Sequence, residues 1–267
     1  MAHKQLTFFS LLAIVLFMFS CNNSDSDETP AQPISKEQQL KNGVARYPDS
    51  LLLIEDLIEY YRNNGSYDTA INITDQAIKK DSENVELWDI KGTLLYENGD
   101  TLKSIKAYET AINIYPLPEY IISLGTLYAQ TKNQKALTMA DALLIADKAK
   151  AEREALFIKG LYYSYTSNKQ KAIIFFDSCI SIDYTYMFAY REKAIALYDV
   201  GKYEEALEVL NRAVTIQNNF DEGYYWRGRC YEKMNRNQDA IENYQMALLY
   251  DKNFIEAKEA LARLGGK

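Results

Sequence analysis

A small residue returns about every 34 positions along this chain: Gly92, Gly125, Gly160, Ala194 and Gly228, with Ile58 in the first slot. Three residues after each stands a bulky side chain: Tyr61, Leu95, Tyr128, Tyr163, Leu197 and Tyr231. Two more columns run in register. One is Ala70, Ser104, Ala136, Ala172, Ala206 and Ala240; the other is Ala77, Ala111, Leu143, Cys179, Ala213 and Ala247. A fixed period of this size means one supersecondary unit stacked on copies of itself.

The unit is read most easily between Val85 and Leu117. Its first half is apolar at helical spacing through Val85, Trp88, Gly92 and Leu95 and stops at Asn98-Gly99, since Gly enters the left-handed conformation that ends a helix. Its second half carries Leu102, Ile105, Tyr108, Ala111 and Ile112 on one face and is closed by Pro116. Each copy is therefore a hairpin of two short amphipathic helices. The small columns are expected where helices cross closely. An aromatic (Tyr108, Phe176 or Tyr244) fills the space beside three of the crossings, with Thr74, Ala140 and Leu210 as weaker substitutes.

These columns resemble the tetratricopeptide repeat. The family pattern is nearly complete in the second copy as Trp88, Gly92, Ser104, Tyr108, Ala111 and Pro116, with Leu95 and Lys91 as departures. The third copy keeps Leu124-Gly125 and Tyr128 but is one residue short in its inter-helix turn and departs at Ala140 and Leu143. The resemblance implies an all-α, right-handed solenoid of about six repeats spanning residues 51–84, 85–117, 118–152, 153–186, 187–220 and 221–254. An extra helix over 36–46 precedes the repeats, and a charged capping helix over 255–264 closes the 36–267 solenoid.

Residues 1–20 read as an export signal: Lys4, then an apolar run from Leu6 to Phe19 that is too short to span a bilayer comfortably. Ser20-Cys21 after that run resembles the lipobox of bacterial lipoproteins, with Met18 a relaxed choice upstream. The resemblance implies lipidation of Cys21, with palmitate among the acyl chains, and stable attachment to the cell envelope at the outer membrane, on its periplasmic or surface face. Residues 21–35 follow as an acidic, flexible tether containing Asp25, Asp27 and Glu28.

Composition narrows the chemistry. The only histidine, His3, lies in the signal, which removes His-based triads, Cys–His dyads and the usual His-bearing zinc sites. Gly223 and Gly228 are spaced like phosphate-loop glycines, but Arg229-Cys230 stands where Lys-Ser/Thr is required. A net charge of −7 argues against nucleic acid and anionic lipid as partners. Cys179 and Cys230 read as buried spacers two repeats apart, too distant to pair. The chain is expected to be no enzyme and to need no cofactor or metal.

The resemblance places the first helix of each hairpin on an inner, concave face. Early copies would present Glu55, Glu59, Glu86, Asp89 and Glu119 there; later copies Phe157, Phe188, Arg191, Tyr198, Tyr225 and Arg229. The second set suits a carboxylate-bearing or aromatic protein segment, and the first a basic one. Two other readings stand beside these: that Arg191 and Arg229 pair with neighbouring Glu side chains, and that the later aromatics bind a glycan or nutrient at the cell surface. The Lys and Asn clamp with which some members of the family hold a terminal carboxylate is missing, since Glu55, Glu59, Asp89 and Thr93 occupy its positions. The expected role is a membrane-anchored adaptor that binds a protein or extended peptide and touches the membrane only through its lipid.

Overall fold

The computed structural model describes residues 34–265, which form thirteen α-helices and no strand. They are α1 (Lys36–Arg46), α2 (Leu51–Asn63), α3 (Tyr67–Lys80), α4 (Val85–Glu97), α5 (Thr101–Ile114), α6 (Pro118–Gln130), α7 (Lys135–Tyr165), α8 (Lys169–Ile182), α9 (Met187–Asp199), α10 (Tyr203–Ile216), α11 (Asp221–Lys233), α12 (Asn237–Tyr250) and α13 (Ile255–Arg263). Each helix packs on the next in the chain, and α9 also touches the alternate helices α7 and α11. The fold is an all-helical repeat solenoid.

The hairpin turns are one device used six times. Four residues after each bulky residue the backbone enters the left-handed region: at Gly65, Gly99, Lys132, Ser167, Gly201 and Asn235, with φ between 58° and 83°. The next residue returns its N–H to the carbonyl of the bulky one, as in Ser66 N to Tyr61 O at 2.8 Å and Arg236 N to Tyr231 O at 2.9 Å. This is the Schellman closure of a helix end. Glycine fills three of the six positions and Asn235, which tolerates the left-handed region, a fourth; Lys132 and Ser167 carry side chains for which that conformation is unfavourable.

The third hairpin absorbs its missing residue in the first turn of α7. Ala136 and Leu137 donate to the carbonyls of Asn133 and Gln134, three residues back, each at 3.0 Å. The tighter 3₁₀ winding brings Ala136 to its packing position one residue early. At its far end the same hairpin has no linker loop. The helix runs on through a single extended residue, Asp147 (φ −159°, ψ 90°), whose Oδ1 accepts from Lys150 N at 3.2 Å and so starts the next helical stretch. The fourth hairpin is thus the second part of α7 followed by α8.

The glycine column serves a different contact from the one expected. A Cβ on Gly92, Gly160 or Gly228 would meet the ring of Tyr108, Phe176 or Tyr244, 16 residues later on the partner helix, at 2.6, 2.5 and 2.5 Å. The glycines make room for a ring lying flat on the first helix, not for a bare backbone crossing. The sequence compensates in size along this pair: Ile58 accompanies Thr74, and Ala194 accompanies Leu210. In the third repeat Gly125 and Ala140 are both small, and Ile158 from the following repeat lies against Gly125 instead. Phe176 and Tyr244 are wholly buried, and each such ring is worth roughly 1.5–3 kcal/mol of apolar burial.

Ion pairs stitch successive repeats. Lys91 reaches Asp75 at 2.6 Å, Lys159 reaches Asp141 at 2.8 Å and Lys193 reaches Asp177 at 2.5 Å, in each case from a first helix back to the preceding second helix.

Candidate functional site

The first helices form one continuous face. Tyr96 and Tyr165 stand at the ends of first helices two repeats apart. The Tyr165 hydroxyl is pushed above its usual pKa by burial first, then by Glu192 and Tyr96. Three surface cavities lie along this face, and their linings differ in chemistry.

The first, of about 270 Å³, lies between α2 and α4. Glu55, Glu59, Glu86 and Asp89 share its wall with Arg62, Ile58 and Thr93. Burial, then Glu86 and Asp56, hold the Glu55 carboxyl above its ordinary pKa, and its Oε1 is buried without a hydrogen-bond partner. Asp89 is raised by burial and by Glu119 and Glu86, against a lowering hydrogen bond from Tyr108. Glu119 lies outside the lining but acts on it through this field. Arg62 leaves the acidity uncancelled, since its guanidinium is engaged by Glu97.

The second cavity, of about 250 Å³, lies between α4 and α6 and is mostly apolar, with Tyr96, Tyr108, Ile122 and Leu127 beside Thr93, Ser123 and Thr126. Neither this cavity nor the place of Arg62 in the first was anticipated from the sequence. The signal that could have shown both is the same repeat register, read on the face opposite the packing columns.

The third cavity, of about 440 Å³, lies between α9, α11 and α13 and is lined by Tyr198, Tyr225, Arg229, Glu232, Lys233, Glu256, Glu259, Ala260 and Arg263. It holds three of the six residues expected to meet a partner in the later repeats. Arg229 donates to Tyr225 Oη at 2.9 Å and Tyr198 Oη at 3.2 Å, and its guanidinium lies 5.3–5.7 Å from the ring centres of Tyr198, Tyr225 and Trp226. Glu232 beside it is engaged by Arg263 at 2.9 Å and by the Tyr244 hydroxyl at 2.8 Å.

The remaining three fall elsewhere. Arg191 is spent on Glu222, two contacts of 2.7 Å, and on Glu192 at 3.0 Å. Pairing with neighbouring carboxylates therefore describes Arg191 and does not describe Arg229. Phe188 is half-exposed, with the Arg191 guanidinium 5.2 Å from its ring centre. Phe157 is half-buried between Phe176 and Tyr186, as packing within the fourth repeat.

Tyr198 and Tyr225 each meet Trp226 edge to face, at 72° and 75°, and Tyr225 is buried. A sugar ring needs an open aromatic face, and this cluster turns its faces onto one another and onto Arg229. Cys179 and Cys230 are free and wholly buried, and burial pushes both thiols up to about 12. Among the described residues no group of His, Cys, Asp and Glu side chains could hold a metal ion, and no helix is long and apolar enough to cross a membrane. Cys21, the export signal and most of the tether lie outside the described residues.

Comparison with known proteins agrees with this architecture. Family models described as tetratricopeptide repeat match residues 56–117, 154–186 and 221–254, and one described as TPR repeat matches 195–235. A DnaJ homolog subfamily C member 7 homolog from Dictyostelium discoideum is 24% identical over 264 residues, covering 90% of this chain and 44% of that protein. The Hsp70-Hsp90 organizing protein of Triticum aestivum is 22% identical over 246 residues, covering 85% and 41%. The chain thus spans less than half the length of the curated relatives it matches. The crystal structure of a tetratricopeptide repeat protein from Parabacteroides merdae superposes with a TM-score of 0.74 at 21% identity, covering 86% of this chain and 91% of that one. PilW, a type IV pilus biogenesis factor, superposes with a TM-score of 0.60 at 15% identity, covering 78% and 97%.

Proposed function

The chain belongs to the tetratricopeptide repeat family, and on that premise we propose that it is a non-catalytic scaffold whose inner face holds an extended segment of another protein. One observation carries the reading. Three cavities of different character follow one another along the face of the first helices. A segment laid along them would meet an acidic, an apolar and an arginine–tyrosine surface in turn, which is enough to select one sequence over others. The name of the wheat relative speaks of organizing other proteins, which favours the same class of role.

The acidic cavity occupies the positions at which some family members clamp a terminal carboxylate. Its field would repel such a group, so basic side chains are the fitting occupants there. The finer reading is an adaptor of the bacterial cell envelope. Cys21 carries the lipid, and the acidic tether lifts the solenoid from the membrane that fixes where the complex forms.

Photo-crosslinking in the native cell tests the binding face. A crosslinking side chain at Thr126, in the apolar cavity, should capture partner protein, whereas one at the exposed outer position Glu208 should not. Capture of the same proteins from both positions would overturn the reading. The anchor has its own test: palmitate labelling should be present in the wild type and absent from Cys21→Ala.

A further inference from the structure

An offset of about 31 residues links neighbouring first helices. Arg191 reaches Glu222 and Arg263 reaches Glu232, each across 31 positions, while Arg153 reaches Asp183 across 30. In these three pairs a guanidinium on one helix receives a carboxylate from an adjacent repeat or from the loop that leads into it. Arg229 breaks the rule. Thirty-one residues before it stands Tyr198, and thirty-one after it stands Ala260. No carboxylate arrives from either side, and among the described residues neither Arg229 nor the neighbouring Lys233 forms an ion pair. What lies there instead is the cavity of about 440 Å³.

We propose that this cavity is a carboxylate-binding subsite centred on Arg229, built to receive an acidic side chain of the bound protein segment. The proposal rests on the inner face being the partner-binding face and names the chemistry recognised at its end. Arg229 donates to the Tyr198 and Tyr225 hydroxyls, so each hydroxyl accepts through a lone pair and keeps its own proton. Neither proton is donated to another described group. An incoming carboxylate would meet two O–H donors and the outer N–H groups of one guanidinium, in a site already desolvated on its aromatic side. The rings beneath hold the guanidinium plane in place without neutralising it.

The far wall fixes the neighbour of that acidic residue. Glu256 and Glu259 of α13 stand across the cavity, exposed and without an ion pair among the described residues. In an extended segment successive side chains point to opposite sides. An acidic residue turned towards α11 therefore sends the next residue towards α13, where a Lys or Arg would meet two carboxylates. The subsite selects an adjacent acidic–basic pair inside a through-running segment rather than a chain end.

The test is selection from a random heptapeptide library, acetylated and amidated at its ends, with the full mature protein as bait. The wild type should enrich an Asp or Glu next to a Lys or Arg. Replacing that acidic residue by its amide should weaken binding about 10- to 100-fold, the range of a charge-assisted contact. Arg229→Gln should abolish the acidic preference. The double variant Tyr198→Phe, Tyr225→Phe, which keeps the rings and removes only the hydroxyls, should weaken binding of the acidic peptides while leaving the thermal transition close to that of the wild type. Enrichment of peptides with no acidic preference, or an acidic preference unmoved by both variants, would overturn the subsite and leave the binding face standing. Failure of the wild type to enrich any peptide would overturn the binding face itself. Enrichment only from a library with free carboxyl ends would assign the site to chain termini and overturn the internal pair.

Discussion

Gly160 lies against the face of Phe176, so that a Cβ at position 160 would sit 2.5 Å from Cε1 of the ring. The ring is wholly buried and has nowhere to retreat. Gly160→Ala should therefore destabilise the fold by about 1–3 kcal/mol, as overpacking of a filled core does. Adding Phe176→Leu recreates the Ala194 and Leu210 pair of the fifth repeat and should recover part of the loss. Urea unfolding of the two variants measures both effects. A double variant no more stable than the single one would show that the two positions are not matched in size.

Lys132 and Ser167 hold left-handed backbone with ordinary side chains, where three sister turns use glycine. Lys132→Gly and Ser167→Gly should each raise stability by roughly 0.5–1 kcal/mol, the relief of a left-handed penalty of about 1–2 kcal/mol less the added freedom of the unfolded chain. Gly99→Ala should lower it by a similar amount. Thermal melts followed by circular dichroism give the sign at each site.

Removing the Arg191 side chain strands Glu192, whose side chain is nearly buried and whose carboxyl burial already holds above its usual pKa. Arg191→Met should destabilise by about 3 kcal/mol, and Arg191→Met with Glu192→Gln should be clearly more stable than the single change, because no unpaired buried charge remains. Denaturant midpoints at neutral pH decide it.

Glu55 binds its proton more tightly in the folded protein than its ordinary value of 4.5 allows. As pH rises through the carboxylate range the unfolded chain loses this proton first, so the native state holds the excess and stability falls across that window. Glu55→Gln removes the effect. Its advantage over the wild type should be absent in acid below the ordinary value and should grow as pH climbs past it. A stability difference that is constant with pH would show that the acidic cavity is not electrostatically loaded.

Both thiols are buried and pushed up to about 12, so Cys179 and Cys230 should resist a thiol reagent in the native protein and react fully once urea unfolds it. Rapid native labelling of either would mean that its repeat opens locally.

The repeat architecture was readable because every packing column recurs in register, and a period repeated six times outweighs any single poor match such as Ile58 or Leu143. The contact partner of the small column was not readable, since a glycine required by a ring and one required by a helix crossing look alike in one sequence. The 3₁₀ start of α7 was visible only as a missing residue. At the site, residue type could not separate Arg191 from Arg229. Their difference lies in what stands about 31 positions away, Glu222 in one case and Ala260 in the other, and that offset emerges only once the stacking of neighbouring helices is known.

The single extended residue at Asp147 leaves the third and fourth hairpins with no slack between them, whereas other hairpins are separated by short loops such as 81–84 and 217–220. Duplication, deletion or grafting of whole modules should therefore succeed at those loops and fail at the seam within α7. In any recombination the two hairpins that share this helix would have to travel together as one block.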